Sequence, residues 1–158
     1  MWCWGVNNTG QLGQNSRTDY SSPKQIPGTS WVESQHSGYL LMATKTDNTL
    51  WTLGYNPNGS VGNGTNSPGY SSPVQVTGSW ETSKDKFGTS TYGGNSSGSA
   101  IKTDGTLWSW GYQSERGELG VNDRSARNSP VQVGQLTDWV SVRSMRTGYM
   151  GLYTDYTP

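Results

Sequence analysis

The chain has 158 residues, 30% of them apolar, with 22 glycines, 8 tryptophans and 9 tyrosines; that is too little apolar mass for one large core and too many aromatics for a disordered chain. Eleven basic residues balance eleven acidic ones, so no net field draws the chain to nucleic-acid phosphates or anionic lipid. A single cysteine and a single histidine exclude an intramolecular disulfide and a His/Cys zinc cage, and no apolar run approaches the roughly 20 residues of a membrane span.

The first element is Trp2-Cys3-Trp4-Gly5, read as a strand. A Gly-rich turn ending in a small apolar clasp follows, Gly10-Gln11-Leu12-Gly13, and then a polar loop closed by Ser22-Pro23 and the strand-like Lys24-Gln25-Ile26. Proline cannot donate to a ladder, so it belongs at a strand start or on an edge. Trp31 is the next landmark, and Met42-Ala43-Thr44-Lys45 and Leu50-Trp51-Thr52-Leu53 flank Asp47-Asn48 as the arms of a hairpin whose two-residue turn tolerates positive φ.

From there the chain repeats itself with a period near 50 residues. Trp51-Thr52-Leu53-Gly54 and Trp108-Ser109-Trp110-Gly111 return the first element; Gly59-Ser60-Val61-Gly62 and Gly117-Glu118-Leu119-Gly120 return the clasp. Ser72-Pro73 and Ser129-Pro130 precede Val74-Gln75-Val76 and Val131-Gln132-Val133, Trp80 and Trp139 match Trp31, and Asp104 and Asp155 match the turn residue Asp47. No window shows helical periodicity over ten or more residues. Four short strands per unit predict an all-β fold of three four-stranded antiparallel blades of a β-propeller, at about 1–50, 51–107 and 108–158 of a single repeat domain. The blades pack through Trp2, Trp51 and Trp108, with Gly5, Gly54 and Gly111 and with Trp31, Trp80 and Trp139 as companion positions.

The ordered set Leu-Trp-Ser-Trp-Gly, Gly-x-Leu-Gly, Ser-Pro-Val-Gln-Val, Trp-Val-Ser-Val and Thr-Asp-Gly-Thr resembles the repeat of the regulator of chromosome condensation family, closest in residues 107 to 158. The resemblance implies a propeller of typically about seven four-stranded blades. Members include a guanine-nucleotide exchange factor bound to chromatin and a β-lactamase inhibitor. No basic tail is evident here, so the resemblance implies fold and not exchange activity. Three blades do not close a ring, which leaves a packing face and strand groups open at each end; the expectation is a partial propeller completed by oligomerisation or by additional chain, and an isolated chain that is not a stable monomer.

No acid, base or nucleophile constellation is visible. His36 lacks a partner, Cys3 stands where Thr52 and Ser109 stand in the other copies, and Glu115, Glu118, Asp123 and Asp138 cluster only loosely. The glycosylation-type triplets at Asn7, Asn58, Asn63 and Asn95 are what chance yields in so polar a chain. Tyr20, Tyr55, Tyr70, Tyr92 and Tyr112, set among Ser, Gly and Asn, have the composition of adaptable recognition loops. The expected function is a non-enzymatic protein-interaction or structural module of a large assembly, such as a virion, tail or adhesion component, without cofactor, nucleic acid or membrane insertion. The alternatives are a regulator of a small GTPase of the exchange type and a carbohydrate-binding propeller lectin.

Overall fold

The computed structural model describes residues 1–154. All of its regular structure is β. Strands β1 (Trp2–Gly5) and β2 (Tyr20–Gln25) form a two-stranded sheet. The next four, β3 (Trp31–Ser37), β4 (Leu40–Lys45), β5 (Leu50–Tyr55) and β6 (Gly69–Val76), form a four-stranded antiparallel blade. A second such blade holds β7 (Phe87–Tyr92), β8 (Asn95–Ile101), β9 (Leu107–Gly111) and β10 (Arg127–Gln132), and β11 (Trp139–Met145) pairs with β12 (Gly148–Tyr153). Twelve strands amount to three blades, but the sheets run half a unit out of phase with the repeats at 1–50, 51–107 and 108–158. The hairpins around Thr46-Asp47 and Thr103-Asp104 each join the end of one repeat to the start of the next, so among the described residues two sheets are complete and two are halves.

The registers repeat as faithfully as the sequence. Trp31 faces Lys45, and His36 and Ser37 face Leu41 and Leu40; Trp139 faces Tyr153, and Ser144 and Met145 face Tyr149 and Gly148, with the irregularity at the same place in both pairs. Trp51 faces Gln75 as Trp2 faces Gln25 and Trp108 faces Gln132. Pro23, Pro73 and Pro130 lie within β2, β6 and β10, the outer strands of their sheets, where the missing N–H costs no ladder bond.

The turn between β4 and β5 differs from the two-residue form the Asp-Asn pair suggested. Lys45 N donates to Thr49 O at 3.0 Å and Asn48 N to Lys45 O at 3.1 Å, and Asn48 has φ +61. Three residues are thus enclosed, the last left-handed, and Gly105 (φ +79) does the same between Lys102 and Thr106. Asp47 and Asp104 take the middle place, which needs no positive φ.

Each boundary between sheets holds its own small core. Ile26, Leu41, Ala43 and Leu53 fill the first, with Met1, Cys3 and Trp31 against them. Leu40, Met42, Leu50, Val61, Val76, Trp80, Phe87, Ala100 and Trp110 fill the second, and Ile101, Leu107 and Val142 the third, the poorest of the three.

Candidate interaction surface

In an antiparallel meander alternate loops emerge at the same end. The β1–β2, β3–β4, β5–β6, β7–β8, β9–β10 and β11–β12 connections therefore share one end, and all five recognition tyrosines, Tyr20, Tyr55, Tyr70, Tyr92 and Tyr112, lie at strand ends or loop starts there. They do not form one patch. The Tyr20 hydroxyl bonds Ser16 at 3.1 Å and the Tyr70 hydroxyl bonds Thr65 at 2.8 Å, so each ring fastens its own loop. The Arg116 and Arg146 guanidinium groups lie 5.5 and 5.9 Å from the Tyr92 ring. Tyr55 lines a cleft of about 350 Å³, where its ring is 6.1 Å from that of Tyr39 and where Thr9, Gly93, Gly94 and Asn95 complete the wall. Asn95 is held by Asn58 at 2.8 Å. The residues come from three sheets, so the blades' packing sets the cleft's shape.

A repeated buried amide, not foreseen from the sequence, makes these long loops rigid. Asn7 Oδ1 accepts from Leu12 N at 2.9 Å, Asn56 Oδ1 from Val61 N at 2.8 Å and Gln113 Oε1 from Leu119 N at 2.9 Å. The amide nitrogens reach across to the carbonyls of Thr18, Thr65 and Asp123 at 3.0, 3.0 and 2.6 Å. All three side chains are buried. The signal lay two residues past Gly5, Gly54 and Gly111. Burial of Asn7 also bars its triplet from glycosylation in the folded chain.

At the opposite end the Thr-Asp turns carry a second repeated device. Trp51 Nε1 donates to Thr49 Oγ1 at 2.8 Å and Thr49 Oγ1 to Asp47 Oδ1 at 2.6 Å; Trp108, Thr106 and Asp104 repeat the relay at 2.7 and 2.6 Å. Hydrogen bonds from the Thr49 and Thr106 hydroxyls hold both carboxyls below the usual aspartate range. Lys45 Nζ sits 4.7 and 4.2 Å from the Trp31 and Trp51 rings, and Lys102 Nζ sits 5.5 and 3.6 Å from Trp80 and Trp108. Asp155 lies outside the described residues. Asp47 and Asp104 each lie in a turn.

The blade-packing assignment needs correcting. Trp2 is 60% exposed, and Trp51 and Trp108 are only half-buried under their lysines. The wedge is the residue two places on, which shares their face but stands mid-strand. Trp110 is fully buried, 5.8 Å from the buried Trp80, and its Nε1 donates to Ser60 O of the preceding blade's clasp at 3.0 Å. Leu53 fills this place at the first boundary. Gly62 and Gly98 leave the room: a Cβ on either would fall 2.5 or 2.8 Å from the Trp110 ring. Gly54 and Gly111 are likewise crowded by neighbouring backbone, whereas Gly5 has open space about it; Trp31 and Trp139 are half-buried.

The remaining chemical candidates stay apart. Cys3 Sγ donates to Leu12 O at 2.8 Å, as Thr52 Oγ1 does to Val61 O and Ser109 Oγ to Leu119 O, both at 2.6 Å; burial pushes its thiol up, away from a reactive thiolate. His36 is exposed on β3. Glu118 is bound by Ser114, Asp123 pairs with Arg127, and Glu115 and Asp138 are exposed.

Residues 1–39 and 104–150, just over half of the chain, match the Regulator of chromosome condensation (RCC1) repeat. The chain belongs to the regulator of chromosome condensation repeat family. An RCC1 domain-containing protein of Arabidopsis thaliana, RUG3, mitochondrial, is 26% identical over 142 residues, 87% of this chain and 31% of that protein. Prp20p from Saccharomyces cerevisiae, whose structure is described with its binding to Gsp1p and histones, superposes with a TM-score of 0.71 at 15% identity, over 89% of this chain and 36% of its own. Human WBSCR16 does so with a TM-score of 0.66 at 22% identity, over 90% and 36%. The RCC1 fold is thereby established for this chain, which spans about a third of the relatives it matches.

Proposed function

We propose that this chain is a non-enzymatic protein-interaction module working inside a larger assembly, and that a protein partner seats in the Tyr39–Tyr55 cleft. One observation carries the reading: Thr9, two tyrosines, two glycines and an anchored Asn95 converge from three sheets at the loop end, where the buried amides of Asn7 and Asn56 fix the β1–β2 and β5–β6 loops. Rigid aromatics with adaptable polar neighbours suit a protein surface. The neutral charge and the Tyr-, Asn- and Ser-rich loops fit a virion, tail or adhesion component, with further copies or further blades completing the arc.

The test is a photo-crosslinker introduced at Tyr55 in the source cells. A defined protein adduct, lost when Tyr39→Ser and Asn95→Ala are added, is the expected result. Faster nucleotide release from a small GTPase would instead favour an exchange-type regulator, the relative Prp20p being described with Gsp1p binding. Binding on a glycan array would favour a lectin.

A further inference from the structure

Two arginines from different loops converge on one ring beside the cleft. Tyr92 ends β7 and faces Asn95 across the two-residue Gly93–Gly94 turn, whose φ values of +58 and +84 favour glycine. Gly93, Gly94 and Asn95 form a wall of the cleft. The Arg116 guanidinium reaches the Tyr92 ring from the β9–β10 loop, and that of Arg146 reaches it from the β11–β12 turn. Both contacts lie inside the arc, since the β7–β8 turn belongs to a complete sheet and has described neighbours on either side.

The repeat does not call for any of the three residues. Tyr92 stands at the hairpin position that Ser37 and Met145 hold in the other copies. Arg146 follows Met145 as Gly38 follows Ser37, and Arg116 precedes the clasp glycine Gly117, where the other copies have Thr9 and Asn58. Their surroundings are nevertheless fixed. Thr91 Oγ1 donates to Ser37 O at 2.9 Å and Ser90 Oγ to Met145 O at 2.7 Å, which ties the β3–β4, β7–β8 and β11–β12 turns together. Arg116 N donates to Ser114 Oγ at 3.3 Å, in a loop that Gln113 secures from within. Charge, by contrast, is unbalanced. Both arginines are exposed, and the ion pairs among the described residues, Arg127 with Asp123 and Arg143 with Asp85, involve neither. Glu118 lies within electrostatic reach of Arg116 but directs its oxygens to Ser114, and Glu115 is exposed. No charged side chain lines the cleft itself among the described residues.

We propose that the protein partner presents an acidic extended segment, whose Asp or Glu carboxylate binds the Arg116–Arg146 pair while its neighbouring residues occupy the Tyr39–Tyr55 cleft. With the cleft as the partner's seat, on which this rests, the pair adds the partner's charge. A guanidinium resting on an aromatic ring keeps its N–H edge available, and that edge matches a carboxylate through two parallel hydrogen bonds. Two such groups over one ring repel each other, and an anion between them removes the repulsion. The chain's net charge is zero, so the attraction is confined to this patch and governs which segment docks and how fast.

The test is selection of a displayed library of random dodecapeptides on the 158-residue chain. Enriched peptides are expected to carry Asp or Glu, and to lose at least about 10-fold in affinity for Arg116→Ala with Arg146→Ala and for Tyr39→Ser. Arg17→Ala with Arg124→Ala takes the same charge from loops at the same end without touching Tyr92, and is expected to bind as the wild type does. Arg116→Glu with Arg146→Glu is expected to enrich Lys and Arg instead. All four arginines are exposed, so the far-ultraviolet dichroism spectrum is expected to stay unchanged. Peptides without acidic enrichment, or acidic peptides that bind Arg116→Ala with Arg146→Ala undiminished, overturn the proposal; where they still require Tyr39, the cleft reading survives without it. Acidic peptides indifferent to Tyr39→Ser separate the arginine pair from the cleft and overturn it too. A wild-type chain that enriches no peptide overturns both.

Discussion

An indole between two sheets works only if the backbone on both sides gives way to it. Trp110→Ala is expected to cost about 3–5 kcal/mol in urea unfolding, because Trp80, Val61 and Ala100 cannot close over the void. Gly62→Ala is expected to cost about 2–4 kcal/mol, since its methyl group meets that ring and its φ of +77 strains any side chain. Thr106→Val removes both the acceptor for Trp108 and the donor to Asp104, and a loss of about 1–2 kcal/mol is expected. The Asp47 and Asp104 carboxyls ionise more readily folded than unfolded. Their contribution is therefore complete above the unfolded aspartate value and disappears as pH falls through the lower folded one. Acid unfolding curves should separate wild type from Asp47→Asn with Asp104→Asn above about pH 4 and converge below it. The sequence showed which tryptophans recur but not which one is central: Trp108 and Trp110 share a face, and only the neighbouring turn, with Lys102 over Trp108, decides that the second is the wedge. Leu53, which stands where the other copies have Trp4 and Trp110, fills the same role with a smaller side chain.

The hairpins were legible because their punctuation is local. Proline on the outer strands and the Asp-Asn and Asp-Gly turns placed most strands before any tertiary contact was known. The turn length was not, because a left-handed residue follows Asp whether the loop encloses two residues or three. The buried amides were hidden for another reason: Asn7, Asn56 and Gln113 look like ordinary loop residues until the long loop folds back over them. Asn56→Ala is expected to leave the Val61 N–H without its acceptor, costing about 1–3 kcal/mol. Hydrogen exchange at Val61 should quicken while that at Leu41 in β4 changes much less, since the loop opens before the sheet.

Over the whole molecule the two complete blades hold most of the buried apolar side chains, and the half-blades at the ends expose theirs. The repeat count was readable from sequence, and so was the hairpin across the first repeat boundary, Met42–Lys45 with Leu50–Leu53; that each whole sheet is centred on such a hairpin was not, because it depends on which strands join its outer edges.

That offset bears on how such chains change size. Each four-stranded sheet takes one hairpin arm from an earlier unit and one from the next, in an unvarying register. Excising residues 51–107 would therefore bring β4 beside β9 and leave β3-β4-β9-β10 as a whole sheet. Gene slippage by one unit can thus add or subtract a blade in register, while each new seam still has to make room for its wedge as Gly62 and Gly98 do for Trp110.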